Sequence, residues 1–190
     1  MEKQFRDGSI RMIGYDYGSD GYYFVTICTK GMKKYLGHLS AEKFFLEDDV
    51  RTYQDTSMIN DEKPIIGMYP DTSVLLTTIG LIAYRYWLAI PEHFPFVKLD
   101  SFVIMPDHLH GIVYLDTPDK IDWTPNEFRS QSNTVGSVIK QYKGSVKRYA
   151  NQNGIEFEWK LGYHDRIVRT LKDLESIRKY IRENPWKTKT

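Results

Sequence analysis

The sequence predicts an α+β fold, a ferredoxin-like antiparallel sheet with helices on one face, plus an inserted segment. Three observations carry this prediction. Strand-like and helix-like patterns follow one another as β-α-β-β-α-β, with one more helix at the end. The chain has 190 residues, 41% of them apolar, which suffices for one substantial core. A polar stretch punctuated by Pro and Gly interrupts the order once, after the first strand. Residues 1–190 are therefore read as a single domain with an insertion over residues 40–76.

Residues 22–29, Tyr-Tyr-Phe-Val-Thr-Ile-Cys-Thr, form a β-branched and aromatic run between Gly21 and Gly31, a buried first strand. From Ser40 to about Ser73 the pairs Asp48-Asp49 and Asn60-Asp61, with Pro64, Gly67 and Pro70, leave no sustained apolar period. Over residues 77–90 the apolar positions Ile79, Ile82, Ala83, Tyr86, Trp87 and Ile90 recur at helical spacing, and Pro91 closes that helix. Two strand-like runs follow, Phe96 to Met105 and His108 to Leu115, and their short connection through Pro106-Asp107 predicts an antiparallel hairpin. A polar linker from Asp116 to Gln131 leads to a second helix over residues 134–150. Its apolar face is Val135, Val138, Ile139, Tyr142, Val146 and Tyr149, its basic face Lys140, Lys143, Lys147 and Arg148, and Gly154 ends it. A short strand over Tyr163 to Arg169 precedes the last helix, which Thr170 and Asp173 open as a capping box and Pro185 stops.

Composition narrows the partners. No apolar stretch approaches the roughly 20 residues that span a bilayer, and the charged N-terminus lacks the apolar core of a signal peptide. A soluble, cytoplasmic protein without a membrane partner is expected. The single Cys28 agrees, since one cysteine builds neither an internal disulfide nor a thiolate metal site. Net charge is +1, but residues 134–190 hold eight Lys and five Arg against six Asp and Glu, a balance of +7, which leaves −6 for the first 133. Such asymmetry suits a polyanion-binding face, and equally a solvated basic surface.

The sharpest local chemistry is His108-Leu109-His110 inside an apolar run. Side chains two apart on a strand leave the same face roughly 7 Å apart, so both imidazoles can reach one ion. Gly111 beside them leaves room for a substrate backbone. The competing reading is a pair of half-buried histidines satisfied by hydrogen bonds. On the final helix Leu174, Ile177 and Ile181 define an inward stripe that Tyr180 borders. Asn184, one turn beyond Tyr180, projects close to Ile177 and aims an amide at the sheet. An amide so placed needs a partner, such as a metal or a phosphate; alternatively Asn184, just before Pro185, only ends the helix.

Four blocks of sequence tie these features together. They are Tyr23-Phe-Val-Thr-Ile-Cys-Thr, Leu99-Asp-Ser-Phe-Val-Ile-Met-Pro-Asp-His-Leu-His-Gly-Ile-Val, Gly136-Ser-Val-Ile-Lys-Gln-Tyr-Lys, and Gly162-Tyr-His-Asp-Arg-Ile-Val-Arg followed by Ile177-Arg-Lys-Tyr-Ile-Arg-Glu-Asn-Pro-Trp. Through them the chain resembles, over nearly its full length, the REP-associated tyrosine transposases of the single-tyrosine HUH endonuclease superfamily. The second and fourth blocks are the specific ones, and the stretch between Ser40 and Ser73 is the least family-like. The resemblance implies that His108, His110 and Asn184 hold Mg²⁺ or Mn²⁺. It further implies that Tyr180 attacks single-stranded or hairpin DNA, giving a 5′-phosphotyrosine from which strands are rejoined.

Other residues are weighed beside these. His164-Asp165 is a base by residue type, although a structural histidine on a short strand is the plainer reading. Tyr142 and Tyr149 are rival nucleophiles that face an apolar stripe, where aromatic packing is the common role. Lys140, Lys143, Lys147, Arg148, Arg166 and Arg169 are the expected phosphate contacts, with Arg178 and Arg182 as further candidates. Two other function classes stay open: a non-cutting, domesticated protein that binds single-stranded DNA hairpins, and a metal-dependent hydrolase with water as its nucleophile. The sequence is compatible with a monomer or a homodimer.

Overall fold

The computed structural model describes residues 17, 19–39, 74–116 and 133–187. In chain order its elements are β1 (Gly21–Cys28), β2 (Gly37–Leu39), β3 (Val74–Leu76), α1 (Thr78–Leu88), α2 (Ile90–His93), β4 (Val97–Ile104), β5 (His108–Leu115), α3 (Val135–Gln152), β6 (His164–Val168) and α4 (Leu171–Lys187). β1, β4, β5 and β6 form an antiparallel sheet in the order β4-β5-β1-β6, the ferredoxin-like arrangement expected. β2 and β3 make a separate two-stranded ribbon. Of the expected insertion, residues 40–73 lie outside the described residues, and its last three form β3. The chain leaves the described core at Leu39 and re-enters at that residue's strand partner, Val74.

Strand parity decides what each face does. Along β1, Tyr23, Val25 and Ile27 are fully buried, whereas Tyr22, Phe24, Thr26 and Cys28 between them are half-buried. The first set packs under α1 and α3, which lie side by side with Trp87 edge-on to Tyr142 at 5.3 Å between ring centroids. The second set shares its face with α4, which lies against β4 and β6. Two helices thus cover one face of the ferredoxin-like core, and the additional C-terminal helix takes the other.

The caps follow local chemistry. Thr77 Oγ1 accepts the Gly80 N–H at the start of α1, and Thr134 and Ser137 form a reciprocal capping box on α3. Past α3, Gly154 takes a left-handed φ of +66°. The Asp173 N–H donates to Thr170 Oγ1 at the start of α4, as the expected capping box requires.

Both proline expectations need correction. Pro91 does not simply close the helix; it sits at the first turn of the one-turn α2, where its fixed φ suits a helix start. Pro185 does not stop α4, which runs on to Lys187. So near the helix end Pro185 costs one backbone hydrogen bond to Ile181, and the proline's own burial offsets that loss.

Candidate active site

The site begins with strand register. β5 pairs with β1 so that His110 faces Thr26 and His108 faces Cys28, and β1 pairs with β6 so that Thr26 also faces His164. Directly paired residues share a face, which places both histidines, Phe24, Thr26 and His164 together on the side of α4. Gly111 falls on the other side. A Cβ there would stand 2.4 Å from the Trp87 ring, so this glycine admits α1 to the sheet and leaves no room for a substrate, contrary to the sequence expectation.

Each imidazole is held by a neighbour. His108 Nδ1 donates to the Asp107 carboxylate at 2.6 Å, which fixes its tautomer and leaves Nε2 as a lone pair. His110 Nδ1 lies 2.8 Å from Thr26 Oγ1, its Nε2 lies 3.2 Å from the Tyr180 hydroxyl, and Phe24 stacks on its ring at 5.4 Å. With Nδ1–H donating to Thr26, Nε2 too presents a lone pair. Burial, and secondarily the neighbouring His108, depress the His110 pKa to about 3, so this imidazole is neutral. The two rings are 4.6 Å apart.

Tyr180 reaches this cluster from α4, and the helix is held there at a β-bulge. The register of β4 slips between Leu99 and Phe102. There Asp100 accepts two hydrogen bonds from Arg178, from Nε at 3.0 Å and Nη2 at 2.5 Å. Leu174, Ile177, Ile181 and Asn184 form the buried stripe of α4. At about 100° per residue, Arg178 and Tyr180 stand roughly 160° apart, one on each flank of that stripe. Arg178 is thus tied to edge strand β4, while the Tyr180 ring lies edge-on to His110 and Phe24. Tyr180 is 38% exposed, open enough for a bulky reactant.

Asn184 is buried inside α4 one turn beyond Tyr180, so it does not end the helix. Among the described residues no three His, Cys, Asp or Glu side chains converge as a metal cluster. The two imidazoles nonetheless suit a divalent cation in chemistry, each being anchored through Nδ1 so that Nε2 is left as the donor atom. An amide oxygen or reactant oxygens must supply the remaining ligands.

The expected basic residues divide. Lys140, Lys143, Lys147 and Arg148 all lie on α3, across the sheet from Tyr180. Lys143 Nζ donates to the carbonyls of Lys160 and Gly162, and Lys147 Nζ to that of Phe157. Both lysines clamp the segment after α3, a role the amphipathic pattern did not show. Lys140 and Arg148 remain exposed. On the site face Arg166, the strand partner of Phe24, pairs with Asp173, and Arg169 is exposed just past β6. Arg178 is held by Asp100 and Glu175 and serves as an anchor, and Arg182 is exposed on α4.

Parity also splits His164-Asp165, with His164 exposed on the site face and Asp165 paired to Val25 on the other, so they do not act as a unit. Tyr142 is buried with its hydroxyl donating to the Ala83 carbonyl, and burial drives its pKa upward. Tyr149 shares that far side. Thr26, Phe24 and the Asp100–Arg178 pair went unnoticed in the sequence because only strand register brings them to the histidines. Asp107 was detectable as a carboxylate adjoining His108.

No protein-family model matches the chain. A Haemophilus influenzae protein described as uncharacterized is 30% identical over 186 residues, which cover 93% of this chain and 87% of that protein. Among solved structures, a REP-associated tyrosine transposase bound to a REP hairpin superimposes with a TM-score of 0.50 and 16% identity. The match covers 100% of this chain and 75% of that one. At that identity the likeness is one of fold.

Proposed function

We propose that this chain, which belongs to one family with the Haemophilus influenzae protein, is a metal-dependent endonuclease and strand transferase acting on single-stranded or hairpin DNA, with Tyr180 as its nucleophile. The observation that carries this reading is the approach of the Tyr180 hydroxyl to His110 Nε2, 3.2 Å, on the face that also bears His108. Core tyrosines hide the hydroxyl, as Tyr142 does; Tyr180 presents a half-exposed phenol beside two anchored imidazoles. The fold shared with a hairpin-bound transposase supports a DNA substrate.

His108 and His110 through Nε2, together with the Asn184 amide oxygen, would hold Mg²⁺ or Mn²⁺. When bound, such a cation polarises the scissile phosphate and favours phenol ionisation, which for a free phenol needs a pH near 10. This chain's residues do the rest. Phe24 and His110 fix the plane of the Tyr180 ring, and the Arg178–Asp100 pair sets the rotation of α4. Tyr180 Oη then attacks phosphorus in line with the bond to the 3′ oxygen. A phosphorus–Oη bond forms, the bond to the 3′ oxygen breaks, and the departing 3′ oxygen takes up one proton for the one the phenol loses. No water is consumed, so the bond energy stays in the 5′-phosphotyrosine and another 3′-hydroxyl can reverse the step. Arg166, and Arg169 beyond β6, are placed to neutralise flanking phosphates.

The test is incubation of the protein with end-labelled hairpin oligonucleotides bearing single-stranded flanks, in Mn²⁺, Mg²⁺ or chelator. Metal-dependent nicking that leaves the 5′ end of the downstream fragment bound to protein supports the reading. Nicking that leaves a free 5′-phosphate assigns the attack to water, and binding without nicking in either metal leaves only a DNA-binding protein.

A further inference from the structure

Across the sheet from Tyr180, α1 and α2 stand apart from the C-terminal half of α3 and leave a cleft of about 290 Å³. Tyr86, Phe94 and Tyr149 give it flat aromatic surfaces, and among the described residues no ring contact joins these three, so their faces are not used on one another. The α3 side is polar. Gln141, Ser145, Arg148 and Gln152 follow one another at i, i+4, i+7 and i+11, a single line along the helix that opens on the cleft. No carboxylate is among the described lining residues, and Arg148 makes no ion pair among the described residues.

These features define a ligand. Absence of carboxylates with a guanidinium at the wall selects an anion over a cation, and guanidinium geometry matches phosphate. Aromatic faces take a planar ring by stacking, in a sequence-tolerant way. Carboxamides offer donor and acceptor together, which suits the polar edge of a nucleobase. The volume lies at the lower end for ligand sites, sized for a single nucleotide and too small for a duplex. Resting on the DNA-processing reading above, we propose that this cleft receives one unpaired nucleotide of the bound DNA, its base against Tyr149 and Tyr86 and its phosphate at Arg148. The protein would then hold its substrate on both faces of the sheet, with chemistry on one and an extruded nucleotide on the other. The placement of Arg148 far from Tyr180 follows from that division.

The probe is a DNA hairpin with single-stranded extensions, compared with a blunt hairpin of the same stem. 2-Aminopurine is placed at one extension position at a time, because its fluorescence falls on stacking. With chelator present, so that no strand is cut, quenching at one position in the wild type and its loss in Tyr149→Leu is the expected result. Tyr149→Leu should weaken the extended hairpin by about 5- to 150-fold, the equivalent of one stacked base at roughly 1–3 kcal/mol. Blunt-hairpin affinity should be unchanged. Arg148→Gln, at an exposed residue that cannot endanger the fold, should lower the salt slope by about one. Equal affinities of wild type and both variants for the extended hairpin overturn the proposal, as does equal weakening for both hairpins. If the wild type forms the Tyr180 adduct in such a case, the cleft assignment alone fails; if it binds neither hairpin, the DNA reading falls and takes the cleft with it.

Discussion

Replacing Asp100 by Asn tests how α4 is held against the sheet. Asp100 accepts both Arg178 hydrogen bonds and one from the Ser101 N–H, and the side chains of Asp100 and Arg178 are 14% and 29% exposed. Exposed pairs contribute about 0–1 kcal/mol, and breaking a buried pair costs about 3–5. Asp100→Asn keeps one acceptor and Arg178 keeps Glu175, so the loss should be about 2 kcal/mol, or about 4–8 °C in Tm for a chain of this size. The Arg178 hydrogen bonds hold the Asp100 carboxyl below the ordinary range, burial opposes them in part, and the Ser101 N–H reinforces them. A carboxylate whose pKa is depressed on folding stabilises fully above its unfolded value of about 3.9 and loses that contribution as pH falls through the folded value. The difference between wild type and Asp100→Asn, from denaturant midpoints, should thus be widest at neutral pH and shrink below about pH 3.9. Adduct formation should slow as well, because α4 is freer to rotate Tyr180 away from His110. A difference that is absent at neutral pH, or constant into strong acid, refutes the reasoning.

Gly111→Ala should destabilise the fold by about 1–3 kcal/mol in thermal melts, because its Cβ meets Trp87 at 2.4 Å; an unchanged Tm would contradict the packing described. Tyr142→Phe removes one buried hydrogen bond to Ala83, so it should cost about 1 kcal/mol and leave adduct yield intact. Loss of the adduct without loss of fold would move the nucleophile to α3. His108→Ala and His110→Ala should each abolish nicking in Mg²⁺ and Mn²⁺ while hairpin affinity, read by gel shift, is largely retained. Nicking that survives in either variant removes the histidines from the metal site.

Much of this arrangement was legible because it depends on local pattern. The alternation around β1, the 3.6-residue period of α1 and α3, the Thr170 cap and the hairpin through Pro106-Asp107 all state their structure in consecutive residues. The buried position of Asn184 followed from helical projection alone. What escaped needed the pairing of distant segments. The face taken by Gly111 depends on its opposition to Val25, and the partition of His164 from Asp165 on the register of β6 against β1. The amphipathic pattern of α3 marked Lys143 and Lys147 as outward cations, but long aliphatic stems carry their ammonium groups to carbonyls of the following loop, which no helical wheel reveals. Pro185 misled for another reason: near the end of a helix, proline's penalty is one lost bond, which packing can offset.

The central claim is that Tyr180 becomes covalently joined to DNA. Wild-type protein and Tyr180→Phe, incubated with Mn²⁺ and a hairpin carrying a 3′ label downstream of the break, should be separated under denaturing conditions and the labelled peptide mapped by mass spectrometry. The substitution removes only a hydroxyl and keeps the ring against Phe24 and His110, so its loss of function belongs to chemistry. A labelled wild-type protein with the nucleotide on Tyr180, and none in Tyr180→Phe of equal Tm, is the predicted result. Cleavage by the wild type without any adduct, or an adduct that persists in Tyr180→Phe, contradicts the claim.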